Sequence, residues 1–107
     1  MMARIKTYRK GYVFERMVRL KLSDAGLVVF RCAGSKPIDL IAFHPRGVIY
    51  LIECKNKERL GKGEIEEIRR RFDDMCKPIT DSLPIKFVLV TKDNYREMLD
   101  SMIRGER

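Results

Sequence analysis

Asp39-Leu40-Ile41-Ala42-Phe43-His44-Pro45-Arg46-Gly47-Val48-Ile49-Tyr50-Leu51-Ile52-Glu53-Cys54-Lys55 is the stretch from which the rest of the chain can be read. Two runs rich in β-branched and aromatic residues flank His44-Pro45-Arg46-Gly47. Pro45 presets φ for the first central position of a type I turn, and Gly47 accepts the left-handed conformation, so a three-residue loop over 45–47 closes a β-hairpin. With His44 facing Val48, Phe43 stands opposite Ile49, Ile41 opposite Leu51 and Asp39 opposite Glu53. Opposed residues share a face, with Cβ atoms about 5 Å apart. Both runs are apolar on both alternating faces except at their outer ends, the pattern of central strands covered on two sides.

Lys55 follows Glu53 by two residues and points to the same side. Two carboxylates and an ammonium thus edge a layer made of Ile41, Phe43, Ile49 and Leu51. Like charges this close repel unless something positive lies between them, and a divalent cation suits two hard oxygen ligands, Mg²⁺ first. Two other arrangements stay open on these residues alone: an Asp39–Lys55 ion pair with Glu53 in solvent, or a four-residue loop that shifts the register by one.

Upstream, Phe14, Met17, Val18, Leu22 and Ala25 form a helical stripe that Gly26 stops. Residues 27–32 read as a strand and 33–37 as a turn. Downstream of the hairpin, 57–62 is a charged loop, and Ile65, Ile68, Phe72 and Met75 mark a second helix ending before Pro78. Residues 78–84 connect it to a strand over 85–91. Asp93 is the expected N-cap of a last helix carrying Tyr95, Met98, Leu99, Met102 and Ile103. The order α-β-β-β-α-β-α makes an α/β fold, a central mixed sheet flanked by helices. No repeat or low-complexity tract divides residues 1–107, so a single domain is expected, with 1–12 as a basic, mobile-looking extension.

Charge narrows the partner. The chain has 107 residues, with 23 Lys+Arg against 15 Asp+Glu and a net charge of +8. Such an excess favours a polyanion, because each cation set on a phosphate releases counterions. No apolar run approaches the roughly 20 residues that cross a bilayer, and the charged N-terminus lacks the apolar core of a secretory signal, so the expectation is an intracellular protein without a membrane partner. Three unclustered cysteines and a single histidine give neither a disulfide framework nor a zinc site. Chemistry therefore falls to carboxylates, Lys and Arg. Gly61-Lys62-Gly63 lacks the spacing of a phosphate-binding loop.

An Asp opening one hairpin strand and Glu53-Cys54-Lys55 closing the next resemble the PD-(D/E)xK nuclease superfamily. The surrounding text sharpens the likeness: Tyr8-Arg9-Lys10-Gly11, Glu15-Arg16, Gly26, Val29, Arg31, Ala33-Gly34-Ser35-Lys36, Asp39-Leu40, Ala42 and Ile52-Glu53-Cys54-Lys55 together resemble the archaeal Holliday-junction resolvases. The likeness covers residues 8–57 and thins after Lys55. Ile38 separates Pro37 from Asp39, a departure from the superfamily's Pro-Asp pair.

The resemblance implies a restriction-endonuclease-like fold and a metal-dependent endonuclease that nicks four-way DNA junctions in pairs as a homodimer. It implies that Asp39 and Glu53 bind Mg²⁺, with Mn²⁺ as a substitute, that Glu15 is a third carboxylate, and that Lys55 assists the attacking water or the developing charge. Arg16, Arg31, Ser35 and Lys36 match basic and hydroxyl positions around the active site. Arg9 and Lys10 extend a basic rim for phosphates. Ordinary alternatives stand beside these roles: a Glu15–Arg19 surface pair, a self-stabilising turn at Ser35, and burial of Phe72, which also resembles an aromatic on the family's interface helix. A nuclease for nicked, flapped or linear duplex DNA, and a non-catalytic DNA-binding module, are the competing functions.

Overall fold

The computed structural model describes residues 2–32, 38–80 and 82–107, with the backbone alone at 2–10, 78 and 80. Element order is α1 (Met2–Asp24), β1 (Val28–Arg31), β2 (Leu40–Phe43), β3 (Ile49–Lys55), α2 (Lys62–Thr80), β4 (Ile85–Thr91) and α3 (Tyr95–Ile103). The strands form one sheet in the order β1-β2-β3-β4. The first three run antiparallel, and β4 lies parallel to β3 through the α2 crossover, which makes the sheet mixed as expected.

Helix α1 begins at Met2, well ahead of the stripe that starts at Phe14. It stops at Gly26, whose φ of 100° places it in the left-handed region. Leu27 N–H then reaches back to Leu22 O at 3.1 Å and Gly26 N–H to Ser23 O at 3.0 Å, while the Leu27 and Leu22 side chains both enter the core. That pairing is a Schellman stop with its apolar contact.

The sheet separates two apolar layers. On one face Phe14, Val18 and Leu22 of α1 and Leu99 and Met102 of α3 meet Leu40, Ala42, Tyr50, Ile52, Val88 and Val90. On the other, Phe72 and Cys76 of α2 meet Leu51, with Ile41, Ile49, Ile85 and Phe87 alongside. Phe72 is buried and its ring stacks on Phe87 at 4.5 Å, so its place in this chain is in the core.

Three local expectations are corrected. Pro78 falls in the last turn of α2 rather than after it. A proline removes one donor and crowds the carbonyl four residues back, but it leaves the donors of the following residues, so the helix runs two residues past it to Thr80. Cys76, not Met75, completes the apolar stripe of α2, and Met75 is half exposed. Asn94, not Asp93, is the N-cap residue of α3, and it makes no side-chain cap bond. Its amide is engaged by β4, accepting from Thr91 N–H at 2.7 Å and donating to Leu89 O at 3.0 Å.

Candidate active site

The hairpin closes as its residues dictate. His44 N–H bonds Val48 O at 2.9 Å, Gly47 N–H bonds His44 O at 2.9 Å, and Gly47 has φ of 93°. The resulting register pairs Phe43 with Ile49, Ile41 with Leu51 and Leu40 with Ile52. The ladder ends at Leu40–Ile52, and the expected Asp39–Glu53 pair is not formed: Asp39 is a bend just before β2, its N–H bonding Ile52 O at 2.8 Å, one residue out of that register.

Both carboxylates are withdrawn from solvent, Asp39 to 9% and Glu53 to 1% exposure. Asp39 is also aimed: its Oδ2 accepts the backbone N–H of Cys54 at 2.8 Å. Lys55, half-buried, closes β3 beside Thr91. Burial pushes the Cys54 thiol well above its ordinary range, and the charges of Asp39, Glu15 and Glu53 push it further. Cys32 is raised by burial and by Asp39 and Glu15. These thiols therefore stay protonated and are poor nucleophiles or ligands.

Glu15 comes from α1, on the other side of the sheet from α2, and its Oε1 accepts Arg31 Nε at 2.8 Å. Arg31 alternates with Val29 along β1, and Val29 packs on the α1 layer, so Arg31 also leaves the sheet toward α1. Its guanidinium lies over the ring of Tyr12, 5.4 Å from the centroid. Tyr12 and Glu15 sit one turn apart on α1, and Arg31 spans both. Tyr12 did not figure among the sequence candidates; the available signal was an aromatic residue one helical turn before the candidate carboxylate in a basic helix.

Among the described residues no three His, Cys, Asp or Glu side chains converge to enclose an ion. Asp39 and Glu53 do fit an open site, since two buried carboxylates on adjoining strands supply hard oxygens and Mg²⁺ ordinarily keeps several waters beside one or two carboxylates. Arg16 is exposed on α1. Arg9 and Lys10 belong to the same helix by their backbone, while Ser35 and Lys36 lie outside the described residues. No helix among the described residues is long and apolar enough to cross a membrane.

Residues 6–71 match the profile of the archaeal Holliday junction resolvase (Hjc) family, more than half of the chain. The chain belongs to the archaeal Holliday junction resolvase family. A curated relative, the crossover junction endodeoxyribonuclease Hjc of Methanocaldococcus jannaschii, is 40% identical over 65 residues, covering 57% of this chain and 48% of the relative. The chain thus matches about half the length of that relative. No solved structure gives a significant match. The family match spans α1, the hairpin and the first half of α2, and so includes Glu15, Arg31, Asp39, Glu53 and Lys55.

Proposed function

We propose that this chain resolves four-way DNA junctions inside the cell by divalent-metal-dependent, paired hydrolysis of phosphodiesters as a homodimer. The observation that carries this is that Asp39 and Glu53 are both buried at the open end of the hairpin of a resolvase-family chain, with Asp39 bonded to the residue after Glu53.

Asp39 and Glu53 would hold Mg²⁺, or Mn²⁺ in its place. When bound, such an ion polarises a phosphate oxygen and makes a nearby water a stronger nucleophile at neutral pH. The chain's own residues do the rest. Cys54 N–H fixes the Asp39 carboxylate so that its position is set before substrate arrives. Lys55 brings positive charge toward the phosphorane as the water oxygen, giving up a proton to solvent, bonds phosphorus and the P–O3′ bond breaks, the 3′ oxygen taking a proton from solvent as it leaves. Glu15, held by Arg31, is the third carboxylate of the site, and Arg16, Arg9 and Lys10 supply cations for flanking phosphates.

A two-fold junction needs two cuts, and one chain carries one carboxylate pair. The sheet itself supports a second copy. Val28 and Phe30 of edge strand β1 and Phe43 of β2 lie on the α2 side of the sheet but outside the cover of α2, with Phe30 58% and Phe43 41% exposed. Their rings meet edge to face at 6.1 Å. Such an apolar strip on a highly charged chain is the kind of surface that a partner covers.

The test incubates purified protein with an end-labelled immobile four-way junction and with matched linear duplex, each in Mg²⁺ or EDTA. Symmetric, Mg²⁺-dependent nicks in the junction alone are expected. Cutting both substrates alike would keep the nuclease and discard the junction; binding without cutting in any divalent metal would leave a DNA-binding module.

A further inference from the structure

We infer that Tyr12 is the positioning residue of this site: its ring seats the Arg31 guanidinium against Glu15, fixing the cation that the site presents to a DNA phosphate. The inference rests on the resolvase reading and adds a residue to it.

The geometry has three parts. Arg31 Nε lies 2.8 Å from Glu15 Oε1, and the guanidinium carbon lies 5.4 Å from the Tyr12 ring centroid, inside the distance at which a ring face attracts a cation. Tyr12 is 40% exposed, so it is no core residue, and its hydrophobic area is not what packs α1 on the sheet. Arg31 is on the last residue of β1, next to the segment that joins β1 to Asp39. An arginine at a strand end has several rotamers within reach, and an ion pair at an exposed position is weak by itself. The aromatic face removes that freedom from one side and Glu15 from the other. The guanidinium then contacts two groups of α1 one turn apart, and remains 41% exposed at the side chain. An arginine so restrained meets a phosphate at lower entropic cost than a mobile one.

Aromaticity, rather than the hydroxyl, is what this role requires. Tyr12→Phe keeps the ring face; Tyr12→Leu keeps bulk and removes the face. The experiment compares wild type and both variants in two ways. The first is single-turnover junction cleavage in Mg²⁺ alongside junction affinity in EDTA. Tyr12→Leu is expected to cut about five-fold more slowly, with its metal-free affinity less affected, and Tyr12→Phe to match wild type. The second is the Arg31 Nε–H signal in ¹⁵N-correlated NMR without DNA or metal. Wild type and Tyr12→Phe should show a ring-shifted, slowly exchanging signal that Tyr12→Leu loses. An unchanged Arg31 signal and wild-type cleavage in Tyr12→Leu would overturn the inference. Equal damage in Tyr12→Phe and Tyr12→Leu would overturn it too, because the hydroxyl would then be what matters. If wild type itself cuts no junction, the functional reading fails, and the NMR arm still decides whether Tyr12 seats Arg31.

Discussion

The backbone N–H of Cys54 donates to Oδ2 of Asp39 at 2.8 Å, so the strand that carries Glu53 also aims the Asp39 carboxylate. An asparagine at 39 retains a carbonyl oxygen able to accept that bond but has no negative charge to offer a cation. Asp39→Asn is therefore expected to lower junction cleavage about 100-fold or more while leaving junction affinity in EDTA and thermal stability near wild type. Gel-based cleavage, metal-free binding and a melting curve on one preparation check all three. Cleavage at the wild-type rate would remove Asp39 from the metal site.

Two aromatic residues on one side of the sheet differ in burial and so in the property that each should control. Phe72 is buried and stacked on Phe87 at 4.5 Å, so Phe72→Ala should lower unfolding stability by about 3–5 kcal/mol. Phe30 is exposed on edge strand β1, so Phe30→Ser should weaken self-association without a comparable loss in the folded chain. Sedimentation equilibrium at several concentrations, beside urea titrations of both variants, reads the difference. A Phe30→Ser protein that dimerises as tightly as wild type would show that the Val28, Phe30 and Phe43 strip is not the contact.

What the sequence made legible was the part governed by local turn chemistry. Pro45 and Gly47 favour a three-residue closure of the hairpin, and that closure dictates the pairing from Phe43–Ile49 down to Leu40–Ile52; the bend at Asp39 that ends the pairing is not written in the turn. The limits of β4 followed from an apolar β-rich run between two helical patterns, whereas its place as the parallel neighbour of β3 comes from the α2 crossover. Where two residues of similar character compete, pattern does not choose. Met75 and Cys76 both extend the α2 stripe, and the direction in which α2 crosses the sheet selects Cys76. Asp93 and Asn94 both suit an N-cap, and the end of β4 takes the Asn94 amide for itself. The contact of Arg31 with Tyr12 and Glu15 was further out of reach. It depends on how α1 lies across β1, which no spacing within either element encodes.

Arg16 is exposed on α1 next to Glu15, and a phosphate contact from it would register in the salt dependence of binding. Each phosphate neutralised contributes about 0.9 to the slope of log affinity against log salt. Arg16→Ala should therefore weaken junction binding in EDTA and flatten that slope by about one unit, roughly equally for junctions of different sequence. Fluorescence anisotropy across a range of NaCl concentrations provides the measurement. An unaltered slope would return Arg16 to the solvated face of the helix.

The C-terminal residues fasten the hairpin from the end opposite the carboxylates, and two glycines test that fastening against simple helix propensity. Arg46 N–H donates to His44 Nδ1 at 2.9 Å, so the other ring nitrogen carries the proton and donates to Ile103 O at 2.8 Å. Tyr50 donates its hydroxyl to Glu106 O, and Arg46 Nη1 lies 3.4 Å from Arg104 O. Gly105 sits against the His44 ring with φ of 71°, and a Cβ there would come within 2.6 Å of Cε1. Gly105→Ala therefore meets both backbone strain and a ring that two hydrogen bonds hold in place, and should lower stability by about 1–3 kcal/mol. Gly11 lies inside α1, and a Cβ there meets nothing within 4 Å. Gly11→Ala should raise stability by about 0.5–1 kcal/mol through helix propensity and the loss of unfolded-state freedom. Parallel denaturant titrations give both values. If Gly105→Ala also gained stability, the chain would have relaxed around the new methyl, and the His44–Ile103 contact would not be what fixes the hairpin.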